Sequence, residues 1–280
     1  MNITNVIYNV ITSRIKIRIG LLVSDTKMMG NIMGGICMII NYAHRGASGY
    51  FPENTMLSFR KAIELGATGI ETDVQMTSDG VLVLIHDENI SRTTNGLGLV
   101  KDFTYGSLNK LDAGSWFNDN YNSEKIPTAE QLIVLAKSNN MLLNLEIKNG
   151  EVTYPGIEEK LIKMLYKYNY ADKVMLSSFN HYSMVHCKEI SKEIKTGLLY
   201  MSGLYQPEIY CKHTGADALH PYFRSINKEI IDNAKKRGLL VNPFTVNEEA
   251  HMKNLIISGV DGLITNYPDK LKKILLNSKI

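Results

Sequence analysis

The sequence predicts an α/β fold, a (β/α)8 TIM barrel with a small insert, a hairpin plus a loop, after the second barrel strand. The chain has 280 residues, and single barrels of this class run to roughly 250 residues. From residue 38 onward, short apolar runs rich in β-branched residues alternate with segments whose apolar residues recur with a helical period. Such alternation is typical of a parallel sheet that is covered by helices.

Nine strands and eight helices are predicted from these patterns. The predicted strands cover residues 39–44, 69–74, 81–87, 142–147, 174–178, 196–200, 218–221, 240–246 and 262–265. The predicted helices cover residues 54–65, 128–139, 157–168, 181–191, about 206–213, 227–237, 248–258 and 268–277. Asn54 is the expected N-cap of the first helix, and Gly66 is expected to end it.

Nine strands are one too many for the barrel, and the link after the second strand explains the excess. The connection Thr77-Ser78-Asp79-Gly80 is too short for a parallel crossover, which needs about a dozen residues. The run 81–87 is therefore expected to form an antiparallel hairpin at the barrel mouth. The excursion over residues 87–127 is long for a loop between a strand and a helix, which is typical of a lid or binding element.

Composition and charge exclude several classes of protein. With 44% hydrophobic and 21% charged residues, the chain is typical of a globular protein. Its formal net charge of +3 belongs wholly to residues 1–37, so the remainder gives no reason to expect a nucleic-acid partner. No apolar run is long enough for stable membrane insertion. The widely spaced cysteines and the lack of a secretory pattern predict a cytoplasmic location, and the oligomeric state is left open.

Residues 1–37 lack the repeating pattern and are expected to lie outside the core, which leaves residues 38–280 as a single barrel domain. Gly34-Gly35 can be encoded as a bacterial ribosome-binding sequence, with Ile36-Cys37 as the spacer before Met38. The hypothesis is that the native chain begins at Met38 and that residues 1–37 are upstream DNA read as protein. The alternative is an N-terminal tail, and an intact mass equal to the full-length chain would contradict the hypothesis.

Three carboxylates stand at the strand ends, which face the active site in a parallel barrel. Glu71 and Asp73 are two residues apart on one strand, so both point to the barrel interior, and Glu146 lies on the next barrel strand. Unpaired buried carboxylates are costly, and this oxygen-rich set suits one divalent cation, Mg²⁺ or Ca²⁺. The alternative is an ion-pair cluster of Glu146 with Lys148 and Arg45.

Basic and titratable side chains stand at the same ends of the strands. Arg45 and Lys148 suit an anionic substrate, because arginine binds phosphate bidentately and lysine supplies a point charge. His44 and His86 end two of the strands and can act as general acid and general base near neutral pH. His220 is a weaker candidate for lining the pocket.

The ordered motifs of the chain resemble those of the glycerophosphodiester phosphodiesterase family, essentially from residue 38 to the C-terminus. They are His44-Arg45-Gly46, Pro52-Glu53-Asn54-Thr55, Glu71-Thr72-Asp73-Val74-Gln75, Asp79-Gly80, His86-Asp87, Arg92-Thr93-Thr94-Asn95-Gly96, Asp112-Ala113-Gly114-Ser115-Trp116-Phe117, Ile126-Pro127-Thr128, Leu145-Glu146-Ile147-Lys148, Thr245-Val246-Asn247 and Asp261-Gly262-Leu263-Ile264-Thr265-Asn266-Tyr267-Pro268.

The resemblance implies a (β/α)8 barrel with an element inserted after its second strand, and it implies a role for each candidate residue. The implied roles are metal ligation by Glu71, Asp73 and Glu146, acid and base catalysis by His44 and His86, and phosphate contacts by Arg45 and Lys148. Glu53 and Asn54 belong to the first-loop motif and are expected to support the site. Members of the family often have Trp where this chain has Phe244, which is a candidate wall for the substrate.

The expected activity is metal-dependent hydrolysis of a small-molecule glycerophosphodiester to sn-glycerol 3-phosphate and an alcohol such as choline or ethanolamine. The sequence does not choose between Mg²⁺ and Ca²⁺, assign acid and base to one histidine each, or choose between a cyclic phosphate and direct attack by water.

Two alternative functions remain open. The first is phospholipase D-like hydrolysis of lysophospholipids at the same site, which needs an apolar groove. The insert offers apolar residues for such a groove, although packing of the insert onto the barrel explains them better: Leu97, Leu99, Val100, Phe103, Tyr105, Trp116, Phe117 and Tyr121. The second alternative is a non-catalytic phosphate-binding barrel, against which the intact histidines and carboxylates argue.

Overall fold

The architecture is described over residues 39–277 of a computed structural model. Residues 1–37, and the hypothetical start at Met38, lie outside the described residues.

Strands and helices alternate along the described chain, as the sequence predicts. The strands are β1 Ile40–His44, β2 Gly69–Met76, β3 Leu82–Leu84, β4 Leu142–Ile147, β5 Val174–Ser178, β6 Lys195–Tyr200, β7 Ala218–Pro221, β8 Leu240–Val241 and β9 Gly262–Thr265. The helices are α1 Met56–Glu64, α2 Tyr105–Leu108, α3 Ala129–Ser138, α4 Ile157–Lys167, α5 His181–Ile190, α6 Pro207–Thr214, α7 Lys228–Lys236, α8 Glu249–Ser258 and α9 Pro268–Asn277. Among these residues, no helix is long and apolar enough to cross a lipid bilayer.

Eight parallel strands form the barrel, in the order β8-β7-β6-β5-β4-β2-β1-β9. The end of β8 and the segment after it close the ring on β9 and on the residue before it, through backbone hydrogen bonds from Asp261 N to Val241 O at 2.9 Å and from Val246 N to Ile264 O at 2.9 Å. Strand β3 lies off this ring and pairs antiparallel with β2. The predicted barrel and its hairpin are therefore confirmed.

Strand β8 is shorter than the predicted span 240–246, because the ladder ends at Val241. Pro243 follows two residues later and has no amide hydrogen to donate, so the regular pattern cannot continue through it. The carbonyl of Pro243 still accepts a hydrogen bond from Ile264 N at 3.1 Å. The barrel thus stays closed although the named strand is short.

Large side chains fill the barrel interior, so it is a packed core and not a pore. His220 is fully buried there, with Nε2 3.2 Å from the sulfur of Met175 and 3.1 Å from Nδ2 of Asn242. Gly197 on the neighbouring strand makes room for it, since a Cβ at that position would lie 2.7 Å from Nε2. His220 is therefore part of the barrel packing.

The first helix begins later than predicted, and Asn54 is not its N-cap. Thr55 is the cap, because its Oγ1 accepts a hydrogen bond from Ser58 N at 3.1 Å and α1 starts at Met56. Asn54 itself has a left-handed φ of 55° and turns its side chain toward the barrel. Gly66 follows the helix with a φ of 88°, as its predicted role at the helix end requires.

The insert between β3 and α3 has its own small apolar core. Three 3-10 turns, Ile90–Arg92, Val100–Asp102 and Asp119–Tyr121, and the short helix α2 make up most of its regular structure. The residues that pack together there are Val83, Ile85, Ile90, Val100, Leu108, Ala113 and Ile126, with Val81, Phe103, Tyr105 and Leu111 against them. The insert is therefore a folded element that rises from the β2–β3 hairpin.

Candidate active site

Strand register gathers the candidate residues at the carboxyl ends of β1, β2 and β4. His44, the last residue of β1, is paired with Glu71 of β2. Asp73, two residues further along β2, is paired with Glu146 of β4. Alternate residues of a strand share one face, so these carboxylates converge on the barrel axis.

The three carboxylates form one buried cluster. Glu71, Asp73 and Glu146 each offer an oxygen, and these oxygens all lie within 4.8 Å of one another. Burial and the neighbouring carboxylates raise the pKa of Glu71 well above its usual range and the pKa of Glu146 to about 7. Burial also opposes ionisation of Asp73, but the charge of Arg45 outweighs it and lowers the pKa of Asp73 to about 2.

The cluster fits a divalent cation better than it fits a closed set of ion pairs. Lys148 Nζ lies 3.2 Å from Oε1 of Glu146, as the ion-pair alternative predicts, but Arg45 pairs with Asp73 at 3.3 Å and not with Glu146. The other oxygen of Asp73, Oδ1, is buried with no hydrogen-bond partner among the described residues. An orphaned carboxylate oxygen beside two further carboxylates is a donor set suited to Mg²⁺ or Ca²⁺.

Arg45 is held in a strained backbone conformation at the mouth of the site. Its φ is 57°, in the left-handed region that side chains with a Cβ rarely adopt. Its amide donates to the carbonyl of Glu71 at 2.8 Å, and its Nη1 donates to Oε1 of Glu53 at 2.9 Å. These contacts, with the ion pair to Asp73, fix the guanidinium beside the carboxylate cluster.

His44 is oriented by a side chain from the opposite end of the sequence. Its Nδ1 lies 2.7 Å from Oδ1 of Asn266, an oxygen that only accepts, so Nδ1 carries the proton in the neutral ring. Its Nε2 faces Glu71 at 3.9 Å. Burial and the charge of Arg45 lower the pKa of His44 to about 4, against the opposing effect of Asn266.

His86 is oriented by a carboxylate and lies on the other side of the cluster. Its Nδ1 donates to Oδ1 of Asp87 at 2.6 Å, and its Nε2 accepts from Lys148 Nζ at 3.3 Å. The buried side chain of Gln75 stabilises the loop that carries His86. Its Nε2 donates to the carbonyls of Ile85, His86 and Asp87 at 3.0, 3.0 and 2.9 Å. Strand β2 therefore positions both the carboxylates and the His86 loop.

Asn54 supports the carboxylate cluster instead of capping a helix. Its Nδ2 donates to Oδ2 of Asp73 at 2.9 Å, and its Oδ1 accepts from the hydroxyl of Thr72 at 2.6 Å. The left-handed φ of Asn54 turns the side chain inward, and asparagine tolerates that region better than most residues.

Phe244 lies across the barrel from the carboxylates, in the segment after β8. Its ring meets Phe179, which follows β5, in an edge-to-face contact with the centroids 5.8 Å apart. Several apolar side chains in the segments that follow β5 and β6 are exposed. We call them the β5–β6 rim: Phe179, Tyr182, Met201, Leu204 and Tyr205.

The apolar residues of the insert are divided between its core and its surface, where Leu97 exposes 81% of its area. Val100 is fully buried, and Phe103 and Tyr105 pack against the small core of the insert. Trp116 and Phe117 are partly exposed and contact each other. Packing of the insert is therefore the main role of Val100, Phe103 and Tyr105, and the β5–β6 rim is a second set of exposed apolar side chains, after two strands of the barrel.

Sequence reasoning missed three residues that hold side chains of the site in place. Asn266 and Asp87 each hold a histidine, and Arg92 binds both Asp87 and Glu53. All three stand inside motifs of the family resemblance, but a motif alone does not show which side chain a residue contacts.

Comparison with known proteins identifies the family. The model of the glycerophosphoryl diester phosphodiesterase family matches residues 44–270. The chain is 48% identical over 229 residues to a glycerophosphodiester phosphodiesterase of Caldanaerobacter subterraneus subsp. tengcongensis, covering 82% of this chain and 94% of that protein. It is 40% identical to a glycerophosphodiester phosphodiesterase of Bacillus subtilis, covering 84% of this chain and 86% of that protein.

Solved structures give the same result for the architecture. A phosphodiesterase of Oleispira antarctica, solved in complex with the product sn-glycerol-3-phosphate, superposes with a TM-score of 0.78 at 32% identity. The superposition covers 85% of this chain and 96% of that one. A glycerophosphodiester phosphodiesterase of Galdieria sulphuraria, described as putative, superposes with a TM-score of 0.77 at 27% identity, over 87% of this chain and all of that one.

Proposed function

The chain belongs to the glycerophosphoryl diester phosphodiesterase family and is a phosphodiesterase of that family, and from this premise we propose how its own residues act. The proposal is that it hydrolyses glycerophosphodiesters with one divalent cation held by Glu71, Asp73 and Glu146, and with His44 and His86 as acid and base. One observation carries it: the buried carboxylate cluster lies between the two oriented histidines, with a basic side chain beside each.

The three carboxylates are the proposed cation ligands. Their oxygens lie close enough to share one ion, and the orphaned Oδ1 of Asp73 provides a free donor. When bound, a divalent cation supplies Lewis-acid stabilisation of the charge on phosphoryl oxygens. Asn54 holds the other oxygen of Asp73, so the carboxylate plane is set before the ion binds.

Arg45 and Lys148 are the proposed phosphate ligands. Each is already paired with one carboxylate of the cluster, at 3.3 Å to Asp73 and 3.2 Å to Glu146 respectively. These pairs keep both cations at the edge of the cluster, where a phosphodiester that reaches the metal would meet them. There they would stabilise the charge that develops on the phosphoryl oxygens.

His44 and His86 are the proposed proton carriers. Each ring donates a hydrogen bond through Nδ1, so in each neutral ring Nε2 is unprotonated. Nε2 of His44 faces Glu71 at 3.9 Å, and Nε2 of His86 accepts from Lys148 Nζ at 3.3 Å. One histidine takes the proton of the nucleophile, which is water or a glycerol hydroxyl, as a new P–O bond forms. If the glycerol hydroxyl attacks, water then opens the cyclic phosphate to give sn-glycerol 3-phosphate. The other, which must start the cycle protonated at Nε2, donates that proton to the oxygen of the leaving alcohol as the old P–O bond breaks.

The substrate that we propose is a glycerophosphodiester of a small alcohol such as choline or ethanolamine, with sn-glycerol 3-phosphate as the product. The Oleispira antarctica phosphodiesterase binds that product on the same fold at 32% identity, which supports the assignment. Phe244 and Phe179 would then form the apolar wall opposite the carboxylates.

The β5–β6 rim favours lysophospholipids as a second class of substrate. Tyr205 and Tyr182 expose 90% and 88% of their surface beside the barrel mouth, where an acyl chain that extends from the glycerol would meet them. The acyl chain would cover apolar surface that a small glycerophosphodiester leaves in water. The same catalytic residues would serve both substrates.

The experiment that tests the proposed activity follows sn-glycerol 3-phosphate release from glycerophosphocholine by purified protein in Mg²⁺ or Ca²⁺. The wild type is expected to turn over, and Glu71→Gln is expected to lose both turnover and metal affinity in calorimetry. Glu159→Gln, an exposed position on α4, is the matched control and should behave as wild type. The proposal would be contradicted by a wild-type protein that is inactive with both Mg²⁺ and Ca²⁺, or by a Glu71→Gln variant that is fully active.

A further inference from the structure

Arg92 joins two loops of the barrel mouth by binding a carboxylate of each. Its Nε and Nη2 donate to the two oxygens of Asp87 at 2.5 and 3.0 Å. Its Nη1 and Nη2 donate to the two oxygens of Glu53 at 3.0 and 2.8 Å. One guanidinium therefore makes bidentate contacts with both carboxylates, a geometry that arginine allows and lysine does not.

Each of these carboxylates also holds a residue of the site. Oδ1 of Asp87 accepts from Nδ1 of His86 at 2.6 Å as well as from Arg92. Oε1 of Glu53 accepts from Nη1 of Arg45 at 2.9 Å as well as from Arg92. Arg92 therefore reaches His86 through Asp87 and reaches Arg45 through Glu53, without contacting either directly.

The residues that follow Arg92 in the sequence hold its 3-10 turn in place. Thr94 donates through its hydroxyl to the carbonyl of Ile90 at 2.7 Å and accepts from Gly96 N at 3.0 Å. Asn95 accepts from Asp112 N at 2.9 Å through its side chain. The motif Arg92-Thr93-Thr94-Asn95-Gly96 is therefore a turn held by hydrogen bonds, and the long charged side chain of Arg92 projects from its start.

A second motif of the insert supplies an aromatic face for the same guanidinium. Trp116 lies with its ring centroid 6.0 Å from Cζ of Arg92, and its Nε1 donates to the carbonyl of Ala113 at 2.9 Å. The side chain of Asp112 accepts from Gly114 N at 2.8 Å and Ser115 N at 3.0 Å, which shapes the turn beneath the ring. Both motifs of the insert thus converge on Arg92.

The charges of Asp87 and Glu53 explain why a positively charged side chain lies between them. Although burial opposes their ionisation, the contacts with Arg92 help to hold the pKa of Asp87 at about 2 and the pKa of Glu53 below its usual range. Without Arg92, the carboxylates of Asp87 and Glu53 would lose the guanidinium that they share, and with it this link between the loop that carries His86 and the loop that carries Arg45.

We propose that Arg92 is a positioning residue of the phosphodiesterase reaction, which holds Asp87 against His86 and Glu53 against Arg45, and that the insert is folded to present it. The inference rests on the proposed function, because it assumes that His86 carries a proton in the reaction. Arg92 itself acts through the two carboxylates.

The test compares the kinetics of Arg92→Ala, Arg92→Lys and the control Arg237→Ala with wild-type enzyme, all loaded with the same cation. Arg237 is exposed at the end of α7, which leads back to the amino-terminal end of the barrel. Loss of an outer partner of this kind costs roughly 10- to 100-fold in activity. We expect such a fall in kcat for Arg92→Ala, a smaller fall for Arg92→Lys, and no change for Arg237→Ala.

Two further readouts separate positioning from a general loss of structure. Millimolar guanidinium, far below denaturing concentrations, is expected to restore part of the kcat of Arg92→Ala and to leave His86→Ala inactive. Inhibition by sn-glycerol 3-phosphate is expected to weaken less than kcat falls, because Arg45 is less well held by Glu53 but keeps its ion pair with Asp73.

The outcomes distinguish this inference from the proposed function. An Arg92→Ala enzyme with wild-type kcat, beside an inactive His86→Ala, would overturn the positioning role and leave the proposed function intact. A loss in Arg92→Ala that guanidinium does not restore, together with a wild-type kcat for Asp87→Asn, would also overturn it. An active His86→Ala would instead contradict the proposed function.

Discussion

The Nδ1 atom of His86 lies 2.6 Å from a carboxylate oxygen of Asp87. This contact fixes the ring so that Nε2 faces the carboxylate cluster. His44 is fixed in the same way by a neutral amide oxygen of Asn266. The two histidines are therefore both oriented, but by partners of different charge.

Removal of either histidine is the first prediction. His44→Ala and His86→Ala are each expected to lower kcat by roughly 10²- to 10⁴-fold, because a positioned acid or base contributes about that factor. Metal affinity in calorimetry is expected to stay near the wild-type value, since neither ring is among the proposed ligands. His186→Ala, on the outer surface of α5, serves as the control. Wild-type turnover in either site variant would disprove its assigned role.

Removal of the amide that orients His44 is the second prediction. Asn266→Ala deletes a hydrogen bond worth about 1 kcal/mol, and a kcat lower by roughly five- to tenfold is expected from the less well held ring. Thermal unfolding is expected to change little. Asn254→Ala, exposed on α8, is the matched control and should retain full turnover. If Asn266→Ala equals the control, the contact to His44 does not matter for the reaction.

The β5–β6 rim supplies the third prediction. A double variant, Tyr182→Ser with Tyr205→Ser, is expected to lower kcat/KM for a long-chain lysophosphatidylcholine by roughly tenfold, since aromatic surface that an acyl chain would cover is lost. Turnover of glycerophosphocholine is expected to stay unchanged, because both side chains are exposed. An unaltered ratio of the two substrates, or a wild type inactive on the lysophospholipid, would exclude the rim as a binding surface.

Buried thiols give the fourth prediction. Cys187 and Cys211 are fully buried, and burial raises the pKa of each thiol to about 12. The reactive thiolate is therefore very scarce near neutral pH. In a Cys37→Ser background, the native protein is expected to leave both thiols unmodified by a disulfide reagent, and the protein in urea to react at both. Rapid modification of the native protein would show that the core opens readily.

Much of the fold follows from local pattern in the sequence. The strand bounds of β4, β5, β7 and β9 match the predicted ones, because each is a short apolar run between clear breaks. The hairpin was predictable from the four-residue link Thr77 to Gly80, since only an antiparallel partner can follow so closely. The convergence of Glu71, Asp73 and Glu146 follows from strand alternation and barrel geometry alone.

Two local errors have specific causes. Asn54 and Thr55 are both good N-caps, and the pattern could not show that the backbone of Asn54 is left-handed and its amide committed to Asp73. The strand predicted over 240–246 ends at Val241, because Pro243 removes a donor from the ladder.

The contacts among site residues could not be predicted from local sequence pattern. Glu53 and Arg92 are separated by 39 residues, and His44 and Asn266 by 222. Only the closed barrel and the folded insert bring these pairs together. The residues themselves lie in recognisable motifs, but their partners are a property of the tertiary structure.

Dependence on the cation is the most direct test of the proposed site. Wild-type enzyme is stripped with EDTA, shown to be metal-free by elemental analysis, and assayed for sn-glycerol 3-phosphate release before and after Mg²⁺ or Ca²⁺ is returned. Turnover is expected to fall at least about 100-fold without metal, a barrier change of about 2.7 kcal/mol, and to return with one of the two cations. Unchanged turnover by the metal-free enzyme would contradict the assignment of Glu71, Asp73 and Glu146 as ligands of a catalytic ion.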